Sequence, residues 1–151
     1  MKDALLVLAA VVALSPAPAS TQQLDAKPVT SAVIPWSESP PTFPWGEMRK
    51  AFTGESAYTQ RLFVSSFVLK PGMEVHPPHQ HAQEEFMTMV EGTGTWHLDG
   101  KEISAKKGDV IYVAPWVWHG LKNTGDSNLI YFVAQWNPKG MESAPKPASG
   151  K

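Results

Sequence analysis

The chain has 151 residues, a formal net charge of −1 and no cysteine. Near-neutral charge without a basic cluster excludes nucleic acid as a partner class. The missing cysteines exclude thiolate metal sites and lipid attachment at an N-terminal cysteine.

In chain order, the first segment reads as a secretion signal over residues 1–19. Lys2 precedes an unbroken apolar run at 4–14, and the small residues at 15–19 allow cleavage after Ala19. The run is too short for a membrane span, which needs about 20 apolar residues. No twin arginine precedes it, so export in the unfolded state is expected. The expected location is periplasmic or secreted, with no membrane attachment after cleavage. Residues 20–57 are rich in Pro, Ser and Thr. The prolines between 34 and 45 exclude a helix there. Trp36, Phe43 and Trp45 are large apolar groups, so this stretch reads as an extended arm lying over the domain or over a neighbouring subunit.

From Gln60 onward the signals are those of strands, predicted at 61–69, 84–91, 95–98, 101–105, 110–113, 116–121 and 128–136. Pro71-Gly72 closes the first. Asp99-Gly100 is a two-residue hairpin signal. Residues 138–151, rich in Pro, Gly, Ser and Lys, read as a flexible tail. Short strands between turn residues, with no helical periodicity, predict an all-β fold over 58–137: an antiparallel barrel or jelly-roll sandwich, as a single domain.

Two stretches carry the chemistry, 71–92 (PGMEVHPPHQHAQEEFMTMVEG) and 108–123 (GDVIYVAPWVWHGLKN). In a strand, residues two apart share a face, so His79, His81 and Glu85 are expected to point the same way. Val117, His119, Leu121 and Asn123 share a second face. If both faces line one interior, three imidazoles and a carboxylate meet. That donor set suits Zn, Cu, Ni, Mn or Fe and leaves positions open for water, dioxygen or substrate.

Both stretches resemble the paired signature motifs of the cupin superfamily. The first motif is matched by Gly72, His79, His81, Glu85 and Gly92. The second is matched by Gly108, His119 and Asn123. The spacer from Gly72 to His79 is one residue longer than the pattern, Pro115 falls one place late, and Trp116 stands where the motif has glycine. The resemblance covers about residues 62–136 and implies one divalent metal on His79, His81, Glu85 and His119, a small-molecule ligand and a homodimer. It further implies an enzyme similar to the quercetinase-like dioxygenases. A redox-neutral isomerase or lyase acting on a sugar acid is one alternative, and a non-catalytic small-ligand or metal-binding module is another. A protein that loads its metal outside the cytoplasm follows the divalent affinity series, which favours Zn, Cu or Ni over Fe.

Around this set, His76 lies at the expected pocket rim, and a role as general base is weighed against that of an exposed rim residue. Met87 and Met89 share the parity of Glu85 and read as core filling. Glu84 is of opposite phase and should point outward. Trp116 and Trp118 are expected outside the barrel, and His97 at the surface near a hairpin.

Overall fold

The computed structural model describes residues 28–36 and 40–148, so the expected signal segment lies outside the described residues. Among those residues the chain forms nine strands and no helix: β1 (Thr42–Phe43), β2 (Gly46–Gly54), β3 (Thr59–Leu69), β4 (Glu84–Glu91), β5 (Thr93–Leu98), β6 (Lys101–Lys106), β7 (Val110–Val113), β8 (His119–Asn123) and β9 (Leu129–Pro138). Six pair in the order β1-β2-β3-β9-β4-β7, three in the order β6-β5-β8, and every pairing is antiparallel. The result is a jelly-roll-like sandwich of two sheets. The barrel alternative is corrected in one respect: the sheets are not joined into a closed barrel.

Side-chain alternation builds the interior. On the inner face of the large sheet, Phe63, Ser65 and Phe67 of β3 lie across from Gln135, Val133 and Tyr131 of β9. Those in turn lie across from Glu85, Met87 and Met89 of β4. Leu69, Trp96, Leu121 and Leu129 complete the core. Burying each large apolar side chain contributes roughly 1.5–3 kcal/mol, so this grid dominates the stability of the domain. Met89 is central to the core, whereas Met87 also faces the cavity described below.

Two elements depart from the sequence expectation. Strand β2 falls inside the stretch read as an arm, yet it pairs with β3 from Gly46↔Leu69 to Gly54↔Leu62. Its sequence, GEMRKAFTG, lacks a β-branched run, and the register shift between Lys50 and Phe52 breaks its alternation. Gly46 admits the close approach: a Cβ there would collide with the Val68 carbonyl oxygen. Two described residues nearer the start of the arm touch the same sheet: Trp36 lies under the Arg49 guanidinium at 4.0 Å, and Val29 donates its N–H to the Glu55 carbonyl. The second departure is the strand expected at 116–121. It begins only at His119, because Trp116 takes a φ of 64° and turns the chain.

The Asp99-Gly100 hairpin is present, with φ values of 49° and 74° and Leu98 paired to Lys101, as a type I′ turn requires.

Candidate metal centre

The three histidines meet because the loop after β3 is stitched along β8. Gly72 N–H donates to the Asn123 carbonyl and Asn123 N–H to the Met73 carbonyl. Glu74 then bridges to Lys122, and His79 to His119. The last bridge is reciprocal: each backbone N–H donates to the other residue's carbonyl at 2.9 Å. One step on, Trp116 N–H donates to the His81 carbonyl at 2.7 Å. Thus His79 and His81 are placed by a loop and an isolated bridge, not by the phase of a continuous strand. Glu85 comes from β4 on the opposite sheet.

One ring nitrogen from each of His79, His81 and His119 lies within 4.8 Å of the others. His119 is fully buried and donates from Nδ1 to the Val117 carbonyl at 2.8 Å. That bond fixes the tautomer and leaves the Nε2 lone pair free. His119 Nε2 and His79 Nδ1 are both buried without a hydrogen-bond partner. Burial, reinforced by the neighbouring His76, His119 and His81, pushes the His79 pKa down to about 4 against the pull of Glu85. Burial also lowers that of His119. Both rings are therefore neutral at pH 7. Converging, neutral imidazoles with buried unpaired nitrogens fit a divalent metal ion, whose ligation would satisfy atoms that are otherwise costly to bury.

Glu85 is 6% exposed and flanks this group. Its Oε2 lies 3.3 Å from His81 Nε2 and its Oε1 3.7 Å from His119 Nε2. The fourth expected ligand thus stands against two of the imidazoles rather than within the converging set. Glu84 points outward and accepts from the Tyr112 hydroxyl. Asn123, the last residue of the second motif, turns away from the centre and holds the backbone: its Nδ2 donates to the Leu69 and Ser127 carbonyls.

A cavity of about 240 Å³ opens onto this centre. Its walls combine His76, His79, Glu85 and His119 with Phe63, Phe67, Tyr131, Met48, Met87 and Gln135. Phe67 and Tyr131 stack with centroids 5.0 Å apart. Burial, then the charge of Glu85, raises the Tyr131 pKa, so its hydroxyl stays protonated and serves as a neutral hydrogen-bonding group. His76 is at the rim, exposed, 4.1 Å from His79 between ring centroids, and donates to the Pro77 carbonyl if its Nδ1 carries the proton. The sequence reading missed Tyr131 and Gln135. The signal for Gln135 was available: in NLIYFVAQW it keeps the inward parity of Leu129, Tyr131 and Val133, and a polar residue in a core phase marks a site.

The departure from the second motif at Trp116 is absorbed locally. Trp116 takes the left-handed φ of 64° that glycine adopts freely. Its backbone bond to His81, its indole N–H donated to the Ala144 carbonyl and Lys146 over its ring offset a strain of about 1–2 kcal/mol. The stretch read as a flexible tail is anchored at this point. Trp118 is half exposed and His97 pairs with Glu102 at 3.6 Å.

The lowered histidine pKa values set a pH dependence for the metal-free protein. An unfolded chain protonates these rings near pH 6.5, whereas the fold keeps His79 neutral down to about pH 4. Between those values the unfolded state binds more protons, so stability falls as pH drops from 6.5 towards 4. In urea titrations with chelator present, the midpoint is expected to be lower at pH 5 than at pH 7, and His79→Ala to flatten the difference. A midpoint that rises on acidification would contradict this electrostatic reading.

Residues 65–134 match the family model of the cupin domain. A gentisate 1,2-dioxygenase from Streptomyces sp is 32% identical over 81 residues, 53% of this chain and 22% of the relative. An oxalate-binding protein from Thermotoga maritima is 26% identical over 58% of this chain and 72% of its own length. The chain therefore spans under a quarter of the dioxygenase it matches. Among solved structures, a Cupin 2 conserved barrel domain protein from Salinispora arenicola superposes with a TM-score of 0.58 at 17% identity, over 72% of this chain and 91% of that one.

Proposed function

We propose that this chain, which belongs to the cupin superfamily, is an exported metal-dependent dioxygenase acting on a small hydroxylated aromatic compound. The observation that carries the reading is a cluster of converging imidazoles beside one cavity with aromatic and thioether walls. His79, His81 and His119 would hold one divalent transition metal, with Glu85 beside them as a fourth donor. Such an ion would supply Lewis-acid and redox chemistry towards substrate oxygens and dioxygen.

The remaining work falls to the protein. The stacked Phe67 and Tyr131 offer a flat apolar wall for an aromatic ring. Phe63, Met48 and Met87 keep water from the ring. The Tyr131 hydroxyl and the Gln135 amide offer neutral hydrogen bonds to substrate oxygens. The similarity to a gentisate dioxygenase supports this substrate class over sugar acids. Ring cleavage by such an enzyme places both atoms of dioxygen in the product.

A second reading, capture of a small carboxylate without turnover, is supported by the match along most of an oxalate-binding protein. Among the described lining residues there is no lysine or arginine to pair with a dianion, which favours the first reading. Oxygen uptake separates the two. Protein loaded in turn with Fe, Mn, Ni and Cu is expected to consume one dioxygen per molecule of a hydroxybenzoate or polyphenol, in at least one metal form. Calorimetric binding of those compounds with no uptake in any form would establish the binding reading instead.

A further inference from the structure

Gln80 stands between the two loop histidines, half-buried and outside the cavity lining. With its oxygen towards Trp118, the orientation that satisfies both ends, its amide accepts the Trp118 indole N–H at 2.9 Å and donates to the Trp116 carbonyl at 3.2 Å. On either side of Gln80 the backbone is tied to the same segment. His79 exchanges both of its bonds with His119 at 2.9 Å, and the His81 carbonyl accepts the Trp116 N–H at 2.7 Å. Each of residues 79–81 is therefore fastened to residues 116–119, and the middle fastening comes from a side chain. The second segment is held from outside in turn. The Trp116 indole N–H donates to the Ala144 carbonyl at 2.6 Å, and the Asp99 N–H to the Trp118 carbonyl at 2.8 Å.

We propose that Gln80 is a positioning residue of the metal centre: clasped between Trp116 and Trp118, it fixes the loop carrying His79 and His81 against the segment carrying His119. The proposal rests on the metal reading above and deepens it, naming what holds the ligands rather than the ligands themselves. Imidazoles share one ion only if their nitrogens can stand about 2.0–2.1 Å from a common point. A loop free to shift against β8 would have to be ordered by the ion, and that ordering lowers affinity. The C-terminal segment serves the same arrangement, since Ala144 backs the Trp116 end of the clasp.

A net hydrogen bond corresponds to a factor of about five. Trp118→Phe keeps a ring and removes one bond, so it is expected to bind Zn²⁺ about fivefold more weakly than the wild type in competition with a chromogenic chelator. Gln80→Leu removes both bonds at similar volume and should bind about 10–25-fold more weakly. The double variant should be no weaker than Gln80→Leu, because the bond lost in Trp118→Phe is already gone. Factors that multiply overturn the proposal. Co²⁺ separates positioning from general support of the fold. The visible ligand-field bands of Co²⁺-loaded Gln80→Leu should shift or broaden relative to the wild type; unchanged bands beside a lowered urea midpoint would make Gln80 a support of the fold alone. A third readout needs no metal: the Trp118 indole N–H should exchange with solvent more slowly in the wild type than in Gln80→Leu. Equal exchange would show that the clasp does not form, and would leave the metal reading intact. A wild type that takes up neither Zn²⁺ nor Co²⁺ would sink the metal reading and the role of Gln80 together. Unchanged affinity in Gln80→Leu beside a zinc-binding wild type would sink only the role of Gln80.

Discussion

His119→Ala loses metal binding by more than 100-fold while the metal-free fold holds. The expectation comes from what this side chain does in each state. Loss of groups that merely orient a ligand costs about 10–100-fold in affinity, and removal of one of three converging imidazoles exceeds that. In the metal-free protein the same ring is a near-neutral element. It contributes the Nδ1 hydrogen bond to the Val117 carbonyl, worth about 1 kcal/mol. It also buries Nε2 without a partner, a penalty of about 1–3 kcal/mol. Alanine removes both, and the space it leaves joins a cavity already present. The two states therefore separate cleanly. A wild-type protein at a free metal concentration 100 times its Kd gains about 2.7 kcal/mol, seen as a rise in Tm, and His119→Ala gains less than about 0.4 kcal/mol. With chelator present the two melt within about 1 kcal/mol of each other. A variant that fails to fold without metal would show that the ring is chiefly structural. One that keeps its metal-dependent rise in Tm would show that the imidazole cluster is not the binding site.

The contrast between His119 and its surroundings also explains what could be read in the chain. Strands β4 and β7 were legible to the residue, because a β-branched or aromatic run is bounded there by Gly, Asp or Glu at turns. The Asp99-Gly100 hairpin was legible because its backbone geometry selects those two residues. Strand β2 was not, since its membership of the sheet depends on the long pairing with β3 rather than on its own composition. The candidate ligands were named from spacing and motif, but the reason they meet was not available. His79 and His81 sit in a loop, and only the reciprocal bridge between His79 and His119 brings the loop to β8. Parity along a strand, used to align His79 with His81, happens to give the same residues by a different route. Gln135 carries an amide that does not titrate and so gives no acid–base signal in the sequence, although its phase places it among inward-facing residues. Tyr131 was missed for the opposite reason: an aromatic in a strand explains itself as core until the cavity beside it is seen.

The largest loss of stability is expected not at the metal ligands but at the motif residue that touches no cavity wall. Asn123 is fully buried, and its carboxamide serves three separate backbone groups. Nδ2 donates to the Leu69 carbonyl at 2.9 Å and to the Ser127 carbonyl at 2.8 Å, and Oδ1 accepts the Gly125 N–H at 3.0 Å. These bonds tie the end of β3, the turn at 124–127 and the end of β8 at one point. That point also begins the stitching that carries His79 to His119, since the Asn123 backbone pairs with Gly72 and Met73. Alanine leaves the buried Leu69 carbonyl without its partner, at about 1–3 kcal/mol, and strips the partly buried Ser127 carbonyl and Gly125 N–H of theirs, at about 0.5–1.5 kcal/mol each. The expected total is about 2–5 kcal/mol, a large part of the 5–15 kcal/mol available to a typical domain. Asn123→Asp should be worse at pH 7, because it keeps the acceptor for Gly125 but turns a buried carboxylate oxygen towards two carbonyls. Urea denaturation of the metal-free protein measures both. The expected order of midpoints is wild type, then Asn123→Ala, then Asn123→Asp, with the slopes unchanged wherever a folded baseline remains. A loss below about 1 kcal/mol for alanine would mean that the three backbone groups find water or one another. The motif asparagine would then not be the fastener that holds the histidine loop against β8.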